Sequence, residues 1–585
     1  MRNELALFVR NTSHKSISSI HKHVVGLVRG EIDMEKRSGQ GRSRRQVLGL
    51  IGGAAASSML PPIRMSFAQG VPQSGQPLPP LLMESYPDQM TVEASRVYAR
   101  ELAEIGIQID HKPLAFGQIL GKVYGRKDVV TAMMGFGSPE ERLDPDFYLR
   151  AIYGTGGPFN VPHYSNPEFD RLAKAQQEET DPKKRQQLID QAQRVLAEDL
   201  PSWHVCSRDA INPVNKKLFK NFKPSKALGL EVYHVAPYLE LEPAGSVKEV
   251  NVATTFRMSS AHPFTERSAN GRGFLRFIYD TFLRYDGQLN LKPWAAESYQ
   301  LVNPTTYELK LRSGMKWHDG KPVTVEDAKF TFDYLLRWKP PFWDSFMSPV
   351  KLAEIVDSST LRVHLNAPSA TFATLSLVQI AILPKHIWEN VPGKVGVKTP
   401  MEWDAAGKGG LIGSGPFIFV GFQKDVDCYI QANKTHWTGG PKIDGIHYIQ
   451  ASGIEQLVGG MEAGNIHIVG DGLTLPDGKR LAQRDEIELL TTNSGTVVSF
   501  WLDTKKVPFT DKAFRHAMYY ALPKKKIIDI ALGGAGQPAR RSPIPPVHEA
   551  WIPKDLPADE YDLAKARKIL SDAGYKWSGG RLTMK

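Results

Sequence analysis

Apolar residues along this chain recur at two different spacings, often within a single stretch. Leu81-Leu82-Met83 is a short apolar run of the kind that forms a buried strand. From Val92 to Gly106, Val, Ala, Tyr, Leu and Ile recur at helical spacing and the run ends on a glycine, which predicts a helix and its stop. Ile107-Gln108-Ile109 then alternates as a strand does, so 81–109 reads as a βαβ unit. Val129 to Met134 is another apolar strand. Asn166 to Leu200 is mostly helical. Asp181-Pro182 supplies a cap followed by proline at the first turn, and Leu188, Ala192, Val195 and Leu196 form an apolar stripe that reads as core.

A second alternating region follows Pro243-Ala244-Gly245. Val250-Asn251-Val252 reads as a strand, and Tyr307 to Leu311 alternates as a half-buried strand should. Thr324 to Leu336 opens with Thr-x-x-Asp, close to a capping box, and continues as a helix. Asp511 to Ala521 and Leu563 to Gly574 are further amphipathic helices. There is no tandem repeat and no heptad pattern. Strands and helices mixed throughout predict an α/β protein, and 585 residues exceed what one core fills, so two or more domains are expected.

Charge changes the picture mainly at the start. The net charge is +11, but residues 1–68 hold eleven Lys/Arg against four Asp/Glu, so seven of those charges lie there and four in the rest. This placement argues against nucleic acid as a partner, and Lys524-Lys525-Lys526 reads as a solvated helix start. Residues 43–48, Ser-Arg-Arg-Gln-Val-Leu, precede a short Gly/Ala-rich apolar stretch from Val47 to Leu60. Ser66-Phe67-Ala68 then places small residues at the positions of a cleavage site. Together these predict a leader over 1–68 with a twin-arginine-type signal peptide, the competing reading being a buried N-terminal helix. Met34 is an alternative start. No cysteine follows the apolar stretch, so a soluble, exported protein without a lipid anchor is expected. The two cysteines, Cys206 and Cys428, match no metal spacing and read as buried free thiols or as one long-range disulfide.

Several stretches together resemble the family 5 extracellular solute-binding proteins, the dipeptide, oligopeptide and nickel binders. The clearest is Leu311-Arg-Ser-Gly-Met-Lys-Trp-His-Asp-Gly-Lys-Pro-Val-Thr-Val-Glu-Asp-Ala328. Ile278-Tyr279-Asp280, Arg284 to Gly287, Ala295 to Ser298, Ile382 to His386, Gly413-Ser-Gly-Pro-Phe417, Asn433 to Pro441, Pro508-Phe509 with Arg515, and Tyr164 to Asp170 add to it. Their order is exchanged: in the family, the part resembling 247–585 comes first and the part resembling 74–245 last. This looks like a circular permutation, with Glu242 to Lys248 joining the old ends; an error of assembly is the competing account.

The resemblance implies a two-lobed periplasmic binding protein type II fold, large and cluster C-like, circularly permuted. Residues 69–210 would form part of lobe II, 211–494 lobe I, and 495–585 the remainder of lobe II. It implies a periplasmic substrate-binding protein of an ABC importer, a monomer that clasps a peptide or peptide-like solute between hinged lobes and delivers it to the inner-membrane permease. No cofactor and no metal are expected. The family's ammonium-pairing Asp is not at its position after Phe136-Gly137-Ser138. Glu140 or Glu141 would supply a carboxylate there, and Asp144, Phe256, Met258 and Trp501 are further candidates for ligand contact. Nickel chelates, opines and oligosaccharides are the alternative solutes. A secreted enzyme is the rival class, and the chain carries no HExxH, GxSxG or GxxxxGK[ST] to support it.

Overall fold

The computed structural model describes residues 74–585 other than 138, 232, 233, 256 and 267; the expected leader over 1–68 lies outside them. The βαβ unit forms: Leu81–Ser85 pairs in parallel with Ile109–Pro113, and helix Gln89–Glu104 makes the crossover. The second strand starts two residues later than the alternation predicts. Gly106, at φ +84°, turns the chain out of the helix, and Ile107 uses its amide to satisfy the carbonyl of Leu102 instead of joining the sheet. A side chain at Gly106 would stand 2.8 Å from the carbonyl oxygen of Gly580.

The principal sheet is mixed. Across it run Phe417–Gln423, Asp427–Ala432, Gly445–Gln450, Glu249–Thr254, Ile468–Val469, Ser202–Asn215, Ile487–Leu502, Thr131–Phe136, Leu81–Ser85 and Ile109–Pro113, in that order. Ser202–Asn215 and Ile487–Leu502 are the longest strands and pair antiparallel with each other. Their ladder is continuous from Ile487 opposite Asn215 to Asn493 opposite Asp209. It breaks at a bulge and resumes from Val497 opposite Ser207 to Trp501 opposite Ser202, with a second, smaller register shift between Val498 and Ser499. A bulge of this kind unpairs the intervening residues and bends the ladder locally.

The apolar cores divide at that break. One side holds a large core that includes Val214, Val250, Phe277, Leu309, Phe332, Trp388 and Ile446, and a smaller one around Leu457 and Ile487. The other side holds a core around Tyr98, Trp203, Phe500, Phe514 and Leu582, and a second around Phe136, Tyr153, Phe169, Ile189 and Trp501. A four-stranded antiparallel sheet, Ala296–Asn303, Thr306–Leu311, Thr360–Leu365 and Val350–Ile355, belongs to the first side. Cys206 and Cys428 are both buried free thiols.

Local signals in the sequence place most helices. Asp181 caps Pro182–Asp199 by accepting from the amides of Lys183 and Lys184. Thr324 and Asp327 form the capping box of Val325–Trp338. Arg515, from helix Lys512–Tyr520, donates to the carbonyls of Asp199, Leu200 and Phe509 and so satisfies the C-terminal end of Pro182–Asp199. Among the described residues, no helix is long and apolar enough to cross a membrane.

The stretches most typical of the resemblance meet in space as scaffold. His318 accepts from the amide of Gly413, and its other ring nitrogen donates to the carbonyl of Gly415. Asn433 donates to the same carbonyl. Gly413 and Gly415 lie flat against the backbone of Ile278, where a Cβ on Gly413 would fall 1.9 Å from the Ile278 carbonyl oxygen. Gly413→Ala should therefore destabilise by about 3 kcal/mol, read as a lower denaturant midpoint at unchanged m.

Candidate functional site

A cavity of about 640 Å³ opens between the two sides, within the range of roughly 300–1,000 Å³ seen for small-ligand sites. One wall carries Leu143 and Asp144, Arg185 from the first turn of Pro182–Asp199, and His548 and Trp551 from the short helix Pro546–Trp551. The facing wall carries Tyr285, Leu291, Tyr307 from the four-stranded sheet, and Thr374. The Tyr285 hydroxyl donates to the carbonyl of Thr374 at 3.1 Å, which fixes the phenol ring in that wall. Arg185 stands over the Trp551 ring, 5.6 Å from its centroid. Burial, and Lys226 nearby, push the His548 imidazole down to about 4, so it is neutral at physiological pH.

The segment after strand Thr131–Phe136 borders the opposite side, and its acids face residues there. Glu141 accepts from Arg272 at 2.6 Å and from Arg276 at 3.3 Å, both on helix Ala269–Ile278. Glu140 lies 3.6 Å from His234 and 3.7 Å from Arg276. Burial would raise the Glu141 carboxyl, but Arg272, Arg276 and Arg142 outweigh it and hold it at about 2. Burial pushes the His234 imidazole below its usual range; its Nε2 lies 2.7 Å from the Tyr285 carbonyl oxygen and Nδ1 2.5 Å from the Ser225 hydroxyl. Asp144 forms a two-pronged pair with Arg185, at 3.0 and 2.6 Å, and accepts from the Thr374 hydroxyl of the facing wall at 2.9 Å.

The residues singled out in the sequence therefore separate. Glu140, Glu141 and Asp144 lie where the two sides meet, and Asp144 lines the cavity. Phe136 is buried among Phe147, Phe159 and Trp501, edge to face with each. Trp501 is 2 % exposed, stacks on Tyr153 and donates from its indole to Met134, so it is core and does not face the cavity. Met258 is fully buried in the first side's core, its amide donating to the Gln450 side chain. Phe256 lies outside the described residues. Sequence reasoning missed Arg185, Arg272, Arg276, Tyr285, Tyr307 and Trp551. The cavity residues among them come from four distant segments, and the two arginines look like the polar face of an ordinary helix.

The depressed Glu141 carboxyl ties this contact to pH. A carboxyl held below its ordinary value of 4.5 contributes stability above that value and loses it as pH falls toward 2. The contribution is on the order of 3 kcal/mol. Unfolding free energy measured against pH should fall across that window, and in Glu141→Gln the step should vanish while stability at pH 7 drops by a similar amount.

Comparison with known proteins bears on this arrangement. Residues 290–584, just over half of the chain, match the Bacterial extracellular solute-binding proteins, family 5 Middle. Oligopeptide-binding protein AppA of Bacillus subtilis is 29% identical over 309 residues, covering 52% of this chain and 55% of that protein. Heme-binding protein A of Haemophilus influenzae is 27% identical over 323 residues, covering 51% and 56%. The chain thus spans about half the length of the curated relatives it matches. Among solved structures, AppA in complex with a nonapeptide covers 57% of this chain and 65% of its own at 26% identity and a TM-score of 0.47. NikZ from Campylobacter jejuni in complex with Ni(L-His) covers 58% and 66% at 19% identity and the same TM-score. By the match over 290–584, this chain belongs to the bacterial extracellular solute-binding proteins of family 5.

Proposed function

We propose that this protein captures a small solute between two hinged lobes and passes it, unaltered, to the permease of an ABC importer outside the cytoplasm. The observation that carries the reading is the cavity of about 640 Å³ whose walls come from both sides of the fold. Lobe II comprises 74–208 and 497–585, and lobe I comprises 209–493. They part at the bulge in the long ladder, where Ser207 and Asp209 face Val497 and Asn493. A broken ladder is a natural hinge, because Arg208 and residues 494–496 form no rungs of this ladder for a rotation to break. Solute that touches both walls shifts the population toward the closed form by its extra contacts there. The family's character as solute-binding proteins and the AppA likeness support a peptide or peptide-like cargo. The reading needs no bond made or broken in the solute, so no catalytic residue is assigned.

We further read the segment order as a circular permutation. Gly75 and Leu78 donate to the carbonyls of Met584 and Leu582, and Met584 donates to that of Gln76, so the two stretches the family would make continuous already share a strand pairing. The joint at Ala244-Gly245-Ser246 is exposed. Curated relatives also align over about half of this chain, which supports a break in the shared order.

Two measurements test these readings. Small-angle scattering of the purified chain should show a smaller radius of gyration once a bound solute is added; curves that superimpose at saturation, or a solute recovered chemically changed, would sink the capture mechanism. A chain rebuilt as 247–585 followed by 74–245 should fold to the same structure, with unfolding free energy changed by about 1 kcal/mol, since re-routing an exposed loop costs little.

A further inference from the structure

The charges that border the cavity are already matched within the protein. Among the described residues, Asp144 is the one carboxylate lining it and Arg185 the one guanidinium, and they hold each other through two short bonds while both stay nearly fully buried. Arg185 also reaches the side chain and carbonyl of Gln176. Of the neighbouring acids, which do not line the cavity, Glu141 is committed to Arg272 and Arg276, whereas Glu140 lies 3.7 Å from Arg276 and 3.6 Å from His234 with one carboxylate oxygen making no hydrogen bond. His548 is kept neutral by its surroundings. What the walls offer beyond these pairs is uncharged: aromatic and aliphatic surface from Tyr285, Tyr307, Leu291 and Trp551, and polar atoms from Asn290 and Thr180.

We propose that this cavity takes an uncharged amphipathic solute, one with neither a free ammonium nor a free carboxylate, such as an end-blocked peptide or a neutral oligosaccharide. The proposal rests on the solute-binding reading above and narrows its cargo. A zwitterionic peptide entering here meets no unpaired counter-charge. Its ammonium must take Asp144 from Arg185, or its carboxylate take Arg185 from Asp144, and either exchange leaves a buried charge of the protein alone. Such an uncompensated charge lowers affinity by on the order of a hundredfold or more. Glu141 is no easier to recruit, because Arg272 and Arg276 both close on it from the facing lobe. A neutral solute disturbs none of these pairs. It gains from the aromatic walls, and its hydroxyls or amides have Asn290 and Thr180 to meet.

Calorimetric titration of the full chain with three probes decides the matter: tri-leucine with free ends, the same tripeptide N-acetylated and C-amidated, and cellotriose. The expected result is that at least one of the two neutral probes binds and that free tri-leucine binds at least about 100-fold more weakly. The neutral affinity should also stay constant as salt is raised from about 0.02 to about 0.5 M, because no charge pair forms with the solute. Free tri-leucine binding as tightly as either neutral probe overturns the proposal and leaves solute capture standing. So does a zwitterionic or ionic solute released when protein purified from its host is denatured. No heat from any probe and no solute released from that protein overturns solute capture itself, and the proposal falls with it.

Discussion

Everything in this molecule hangs on the antiparallel ladder between Ser202–Asn215 and Ile487–Leu502. It is the place where the chain passes from one set of cores to the other, once in each direction, and its two halves answer to different neighbours. Residues 497–502 pair on their far side with Thr131–Phe136, whereas Val214 pairs on its far side with Ile468. The bulge between Asn493 and Val497 separates these two allegiances. Each half is fastened into its own body, and under the proposed capture mechanism it is at the register break between them that bending would concentrate.

Much of this fold was legible because local rules and tertiary structure agree. The Thr324 capping box, the Asp181-Pro182 helix start and the alternating Tyr307–Leu311 strand each appear where the pattern puts them, since a cap or a period is decided by residues a few positions apart. The strand after Gly106 is shifted because a glycine turn satisfied the helix's last carbonyls first, a competition that spacing alone does not reveal. Arg515 read as part of a family stretch turns out to be the C-terminal clasp of a helix more than three hundred residues earlier.

The site was less legible, and for a definite reason. Acidic residues at 140, 141 and 144 announce themselves in sequence, but their partners do not. Arg272 and Arg276 lie more than a hundred residues away on a helix with unremarkable composition, and Arg185 begins a helix whose apolar stripe draws the eye elsewhere. Carboxylates without visible partners invite a ligand to complete them; with partners supplied, they become part of the wall. Trp501 and Met258 show the converse, since large apolar side chains near a crossover look available until burial shows both packed away. Pairing, more than the presence of charge, thus decides what the cavity can recognise.

The adjacency of Asp209 and Asn493 has one more consequence. From Asp209 to Asn493, 285 residues counting both, the chain builds the first set of cores and returns on the neighbouring strand, so in the proposed division lobe I is an insert within lobe II. A ribosome making this chain completes the insert before the last part of its host exists. The host's remaining strand and helices, 497–585, must then find 74–208 across a body that has already condensed, so assembly of the outer lobe is the late event in biogenesis.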